Sequence, residues 1–183
     1  MSTIKVDTIQ TRAGAVPKAS DLGLNVTGSV LQVVSATKTD TQSITGSSFV
    51  DITGLSAAIT PSSTSSKIFI SVDVSFSGEQ NSYVAFQMLR GSTEILKATE
   101  TGTGLECAGG QVINSSGNEQ YSIHKEAMSG LDSPSTTSET TYKVQISPMR
   151  TSSKTAYVNR SHTLGDDNQY RSASTITLME IAG

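Results

Sequence analysis

Residues 67–77, KIFISVDVSFS, decide how the rest of the chain is read. Ile68, Ile70, Val72, Val74 and Phe76 fall on one face of an extended backbone, and Ser71, Asp73 and Ser75 fall on the other. A period of two held over five apolar positions marks a strand with one face buried, because successive Cβ atoms alternate across the pleat. The stretch before it, SSFVDITGLSAAITPSSTSS, holds two further strand candidates, 48–53 and 55–60, and ends in a polar turn. After it comes SYVAFQMLRGSTEILKA (82–98), where Val84, Met88 and Leu89 also fit a helical spacing. Ser82, Tyr83 and Phe86 favour a strand instead, and Gly91 in the tight turn RGS follows at once.

Farther out the same grammar repeats. SVLQVVSA (29–36) reads as a strand, as do 120–128, 139–147, 154–160 and 173–181, with a short strand near 111–113 inside the Gly/Ser/Asn-rich segment 101–120. SPSTTS and SHTLGDDNQYRS read as polar connections. Eight to ten short strands with turn chemistry between them and no convincing helix predict an all-β fold, an antiparallel β-sandwich or jelly roll. Upstream, IKVDTIQ (4–10) is a short strand that needs a partner sheet, and Gly14, Pro17, Gly23 and Gly28 break the stretch after it. The expected organisation is an attachment strand and linker at 1–28, a connecting strand or neck at 29–42 and a sandwich head at 43–183.

Composition narrows the function classes. Of 183 residues, 35% are hydrophobic and 16% charged, against about 45–50% and about 25% in ordinary domains. Ser and Thr make up about 30%. So lean a core favours burying further apolar surface between subunits. A net charge of −3 and a pI near 5.3 leave no basic footprint for nucleic acid. No run of about 18 apolar residues suggests membrane insertion, and Met1-Ser2-Thr3 leads into the strand pattern without a secretory leader. Cys107 is the single cysteine, which excludes an intrachain disulfide framework and a cysteine-cluster zinc site.

Catalytic constellations are sparse. His124 lies within the strand-like YSIHKEAM, and His162 lies in a loop with Asp166 and Asp167, whose spacing fits no calcium-loop template. TGTGLECAGG has Gly102 and Gly104, but Cys107 stands where a dinucleotide-binding loop needs its third glycine. The expectation is a non-enzymatic protein with no cofactor and no metal.

Several phrases resemble a known group of proteins. The opening IKVDTIQTRAG…VPKASDLG…VTGSVLQVV resembles the N-terminal segment of tail-fibre and related virion proteins from marine phages, cyanophages especially. SAAITPSSTSSKIFISV, LRGST, LDSPSTTSETTYKVQ, TAYVNR and the closing RSASTITLMEIAG resemble the C-terminal head of such proteins. That resemblance implies a virion structural protein, made in the host cytoplasm and assembled on the phage tail or capsid. Its head would be homotrimeric, similar by analogy to C1q-like and TNF-like jelly rolls.

Partners implied are the protein itself, a tail adaptor, baseplate or capsid protein, and a host-surface glycan. The implied role is a short tail fibre contributing to host adhesion, with a capsid decoration or head-fibre protein as the alternative and a glycan-degrading tailspike as a remote one. Within this reading Ile4, Val6 and Ile9 are the virion-attachment residues, adding an edge strand to a partner's sheet. Alternatively IKVDTIQ is the first strand of the sandwich. Ile176, Leu178, Met179 and Ile181 put apolar side chains on both faces of the last strand and are the expected trimer interface, with Met88, Met128 and Met149 available for subunit contacts. Two polar, aromatic-bearing loops are candidate receptor loops: Glu79, Gln80, Asn81 and Tyr83 in one, and Asp166, Asp167, Asn168, Gln169, Tyr170 and Arg171 in the other. The competing reading of each is a solvated turn.

Overall fold

The computed structural model describes residues 27–99, 104–114, 121–149, 153–163 and 170–183. Ile4, Val6, Ile9 and the linker after them lie outside the described residues, as do Asp166, Asp167, Asn168 and Gln169. The strands are β1 (Val30–Lys38), β2 (Gln42–Thr45), β3 (Val50–Ile59), β4 (Lys67–Gly78), β5 (Ser82–Arg90), β6 (Thr93–Ile95), β7 (Gly109–Ile113), β8 (His124–Asp132), β9 (Thr140–Met149), β10 (Thr155–Val158) and β11 (Ser174–Ile181). All their pairings are antiparallel, and no α-helix occurs among the described residues.

Two sheets face each other. In the first, β4 is central: β8 runs along one edge, while β11 and then β10 share the other, with β1 beyond β11 and β2 beyond β10. In the second, β5 lies between β9 and the short strands β6 and β7, and β3 flanks β9. The alternation in β4 sets the core. Ile68, Ile70, Val72, Val74 and Phe76 all point inward and are buried, beside Ile176 and Leu178 of β11. Opposite them stand Val84, Phe86 and Met88 of β5, Tyr142, Val144 and Ile146 of β9, and Leu55 and Ile59 of β3. Phe76 and Phe86 meet edge-on across the sheets, centroids 4.9 Å apart, a favoured aromatic geometry.

Several expectations are refined. The pieces 48–53 and 55–60 are one strand, β3, with a register shift between Asp51 and Ser56 where Gly54 takes φ +81°. That bulge lets both Ile52 and Leu55 turn inward, which strict alternation would forbid. The strand expected at 120–128 lies at His124–Asp132, since its register on β4 runs from Phe76↔His124 to Ile68↔Asp132. The tight turn expected at RGS is the hairpin β5–β6 around Gly91 at φ +59°, and the stretch before it is the expected strand. The expected neck at 29–42 belongs largely to the sandwich: β1 pairs with β11 from Val30↔Ile181 to Lys38↔Ser174.

The sandwich has two distinct ends. At one, Gly28 N–H donates to Ala182 O at 2.7 Å and Ala182 N–H to Ser29 O at 2.8 Å, so the chain leads in beside its last residues. At the other, β4 turns into β5 through 79–81, and segments 121–123, 159–163 and 170–173 gather. The twelve residues of β4 separate the ends by roughly 40 Å.

Glu180 shows why the turn PSSTSS is rich in serine. Its side chain points inward near the first end, with the residue 1% exposed. Oε1 accepts from Ser62 N–H (2.7 Å), Ser62 Oγ (2.6 Å) and Ser66 Oγ (2.7 Å), and Oε2 accepts from Gln32 Nε2 (2.6 Å). Burial pushes the carboxyl pKa up, but the hydrogen bonds from Ser62, Gln32 and Ser66 together outweigh it and hold it below its ordinary 4.5. A depressed folded-state pKa contributes stability above the unfolded value, and this is lost as pH falls through the folded one. Glu180→Gln should therefore lower the thermal midpoint at pH 7 by about 6 °C, roughly 2 kcal/mol. The difference from wild type should shrink as calorimetric scans move from pH 6 to below about 4. A difference independent of pH would mean that the charge is not what the serines hold.

Candidate recognition surface

The β4–β5 turn is tied down from below. Ser82 N–H donates to Glu79 O at 3.2 Å, and Lys154 Nζ donates to Gln80 O at 2.7 Å while lying 4.0 Å from the Glu79 carboxylate. Glu79 and Gln80 are half-buried, whereas Asn81, at φ +60°, is exposed. Tyr83 sits on the outer face of the second sheet, paired with Met149 and Val112 on either side. Together with Leu105 and Cys107 these residues wall a groove of about 320 Å³ floored by Ala85 and Gly110. A Cβ on Gly110 would come within 3.1 Å of Val84 O, so glycine keeps that floor flat. Cys107, half-buried, enters the groove from the Gly-rich loop before β7.

The described part of the second candidate loop, Tyr170 and Arg171, lies at the same end of the molecule but on the first sheet. Buried Asn159, at φ +61°, organises it. Its Nδ2 donates to Lys38 O (2.8 Å) and Asp40 O (2.9 Å), and its Oδ1 accepts from Ser174 Oγ at 2.6 Å. Ser172 N–H donates to Asn159 O at 3.1 Å and Ser161 N–H to Tyr170 O at 3.2 Å. An antiparallel bridge consequently sets Arg160 opposite Arg171. Tyr170, 63% exposed, and Arg171 line a hollow of about 410 Å³ with Ser122, Ile123 and Ser172. Beside it the Arg160 guanidinium covers the Tyr157 ring at 4.0 Å, and His162 stacks on that ring with centroids 5.3 Å apart. Tyr83 and the pair Tyr170–Arg171 thus share an end of the sandwich but line separate hollows.

The four expected interface residues divide by face. Ile176 and Leu178 are fully buried inside the sandwich, so they serve the subunit core and offer nothing to a second copy. Met179 and Ile181 lie on the outer face. There the register Val33↔Met179↔Phe69↔Leu131 draws one apolar row across four strands. Its outer members, Val33 and Leu131, are 56% and 55% exposed. The next row is small and polar, Ser35, Thr177, Ser71 and Ser129. Beyond it, Asp73 and Lys125 neutralise each other at 2.5 Å. Met88 and Met128 are core residues; Met149 is half-exposed in the groove.

His124 lies against Phe76 with its Nε2 buried and unpaired among the described residues, and His162 likewise buries an unpaired Nδ1 against Tyr157. Neither of these nitrogens is hydrogen-bonded to a described carboxylate in the way a general base is oriented. Among the described residues, no three His, Cys, Asp or Glu side chains are grouped to hold a metal ion. In comparisons with known proteins, no family model and no curated protein matches the chain.

Proposed function

We propose that this chain is a virion structural protein, a short homotrimeric tail fibre with an N-terminal attachment segment and a projecting β head that contributes to host-surface adhesion. The separation of the two ends carries this reading. The backbone leads in at Gly28, and the candidate contact loops 79–83 and 170–171 occupy the opposite end. A particle-bound segment at one end leaves the other pointing away. The strand order β1-β11-β4-β8 against β3-β9-β5-β7 is that of two nested Greek keys, and it supports a jelly roll. The nearly charge-free apolar row on the outer first sheet supports self-association, since interface cores are depleted of charge.

A capsid decoration or head-fibre role is the second reading. It is favoured by β1, which pairs with β11 from Val30 to Lys38 and so belongs to the head, leaving no shaft between Gly28 and the sandwich among the described residues. Cryo-electron microscopy of the intact particle separates the two. Three-fold density on the tail, with residues 2–24 inside an adaptor, is the expected result, and density on the capsid shell overturns the tail-fibre reading.

A further inference from the structure

We infer that the hollow at Tyr170 and Arg171 binds the carboxylate or sulfate group of an acidic polysaccharide. This deepens the adhesion reading of that end and rests on it.

Cation pairing, with Lys67 at the opposite end of β4 as the other exception among the described residues, draws attention to the hollow. Lys38, Arg90, Lys97, Lys125, Lys143 and Lys154 each have an acidic side chain within 4.0 Å. Arg160 and Arg171 have none among the described residues, although the bridge sets them directly opposite each other. Like charges opposed across strands are destabilising, so the position favours an anion from outside. Arg160 is held only loosely: its guanidinium rests on Tyr157, and its hydrogen bonds to Ser43 Oγ and His162 O are 3.4 and 3.5 Å. Arg171 is exposed and lines the hollow, its five donors uncommitted to any described residue.

The remaining lining suits a sugar. Tyr170 presents a largely exposed ring on which a pyranose can stack, and Ser122 and Ser172 supply hydroxyls. Ser172 Oγ lies 3.1 Å from Ser75 Oγ, whose single proton is shared with Ala173 O at 3.0 Å. Arg171 in the lining, with Arg160 bridged opposite it, offers a localised pair of cations on a chain of net charge −3, not a track along a phosphate backbone. The ligand chemistry is therefore one anionic group beside a sugar ring.

Biolayer interferometry with the full chain tests this on immobilised dextran sulfate, alginate and neutral dextran at 50 mM NaCl. Dextran sulfate and dextran share a backbone, so their difference reports the anionic group alone. Both anionic polymers should bind at least tenfold more tightly than dextran, and 500 mM NaCl should weaken them severalfold. R171A and Y170A should each lose about tenfold, R171K should retain part of the affinity, and thermal midpoints should stay unchanged. If R171A unfolds, R160Q takes its place with a loss of about threefold. The inference is overturned by equal binding to dextran, by no binding to either anionic polymer, or by wild-type affinity in R171A. It is also overturned if duplex DNA binds as tightly as dextran sulfate, or if free sulfate binds while no polymer does. Finding the protein on the capsid while the polymers still bind would overturn the tail-fibre reading and leave this one standing.

Discussion

Asp132→Ala should destabilise the sandwich by about 3 kcal/mol and lower its thermal midpoint by roughly 10 °C. Asp132 ends β8 in the first sheet, while Arg90 and Tyr142 belong to β5 and β9 in the second. Arg90 Nη1 donates to both carboxylate oxygens, at 2.8 and 2.9 Å, and the Tyr142 hydroxyl donates to Oδ2 at 2.7 Å. The cluster pins the sheets together near the end where the chain leads in. Tyr142 is fully buried, and burial, followed by its bond to Asp132, pushes its phenol pKa far up, so it remains a donor at any working pH. Removing the carboxylate leaves a buried hydroxyl without an acceptor and a partly buried guanidinium with only Ser133 O, at 3.3 Å. An unmet buried donor costs about 1–3 kcal/mol, more when charged.

A double-mutant cycle with Tyr142→Phe makes the test specific. Tyr142→Phe alone should cost about 1 kcal/mol, and Asp132→Ala should cost about 1 kcal/mol less when combined with Tyr142→Phe than in wild type. Strict additivity in chemical denaturation would show that the clamp does not act as a unit.

The second large effect concerns assembly. Val33→Lys combined with Leu131→Lys should convert an oligomer into a species with the 19.2 kDa mass of one chain in multi-angle light scattering. Val33 and Leu131 end the row that runs through Met179 and Phe69, and both are more than half exposed in the single chain. Lysine there leaves the subunit's own core intact, since Ile176, Leu178 and the inner face of β4 lie on the other side of the sheet. Buried in a contact between copies, the same lysines would be unpaired charges in an apolar centre, at a cost of several kcal/mol. The midpoint of a truly monomeric fold would hardly move. Wild-type protein already running at single-chain mass at tens of micromolar would end the self-association reading.

How legible the molecule was depends on the range of the signal. The inward face of β4 could be read residue by residue, because Cβ alternation is a property of the local backbone. Gly91 likewise marked the end of β5, since a positive φ is a local demand that glycine meets at little cost. The bulge in β3 was not legible. Ile52 and Leu55 break the alternation, and only the partner strand β9 requires both to face inward. Strand β2 was missed for a similar reason: QSIT has one buried residue, Ile44, and exists as a strand through its pairing with β10.

The candidate surface follows the same division. Tyr83, Tyr170 and Arg171 stood out as aromatic and polar groups in loop-like sequence, and each lines a hollow. Cys107 and Met149 gave no sign that they would meet Tyr83, because one comes from the loop before β7 and the other from the end of β9. Arg160 was read as the end of a strand; Asn159, bonded to Lys38, Asp40 and Ser174, turns it to face Arg171.

By itself, then, the sequence determined the all-β character, the inward face of β4 and the polar turns, since periodicity, propensity and turn chemistry act within a few residues. Tertiary structure alone decided which strands are neighbours and in what register. It thereby decided that Val33, Met179, Phe69 and Leu131 form a row and that two arginines share a bridge. Those juxtapositions join residues far apart in the chain, and they are fixed by closing the whole sandwich around one core, not by any local preference.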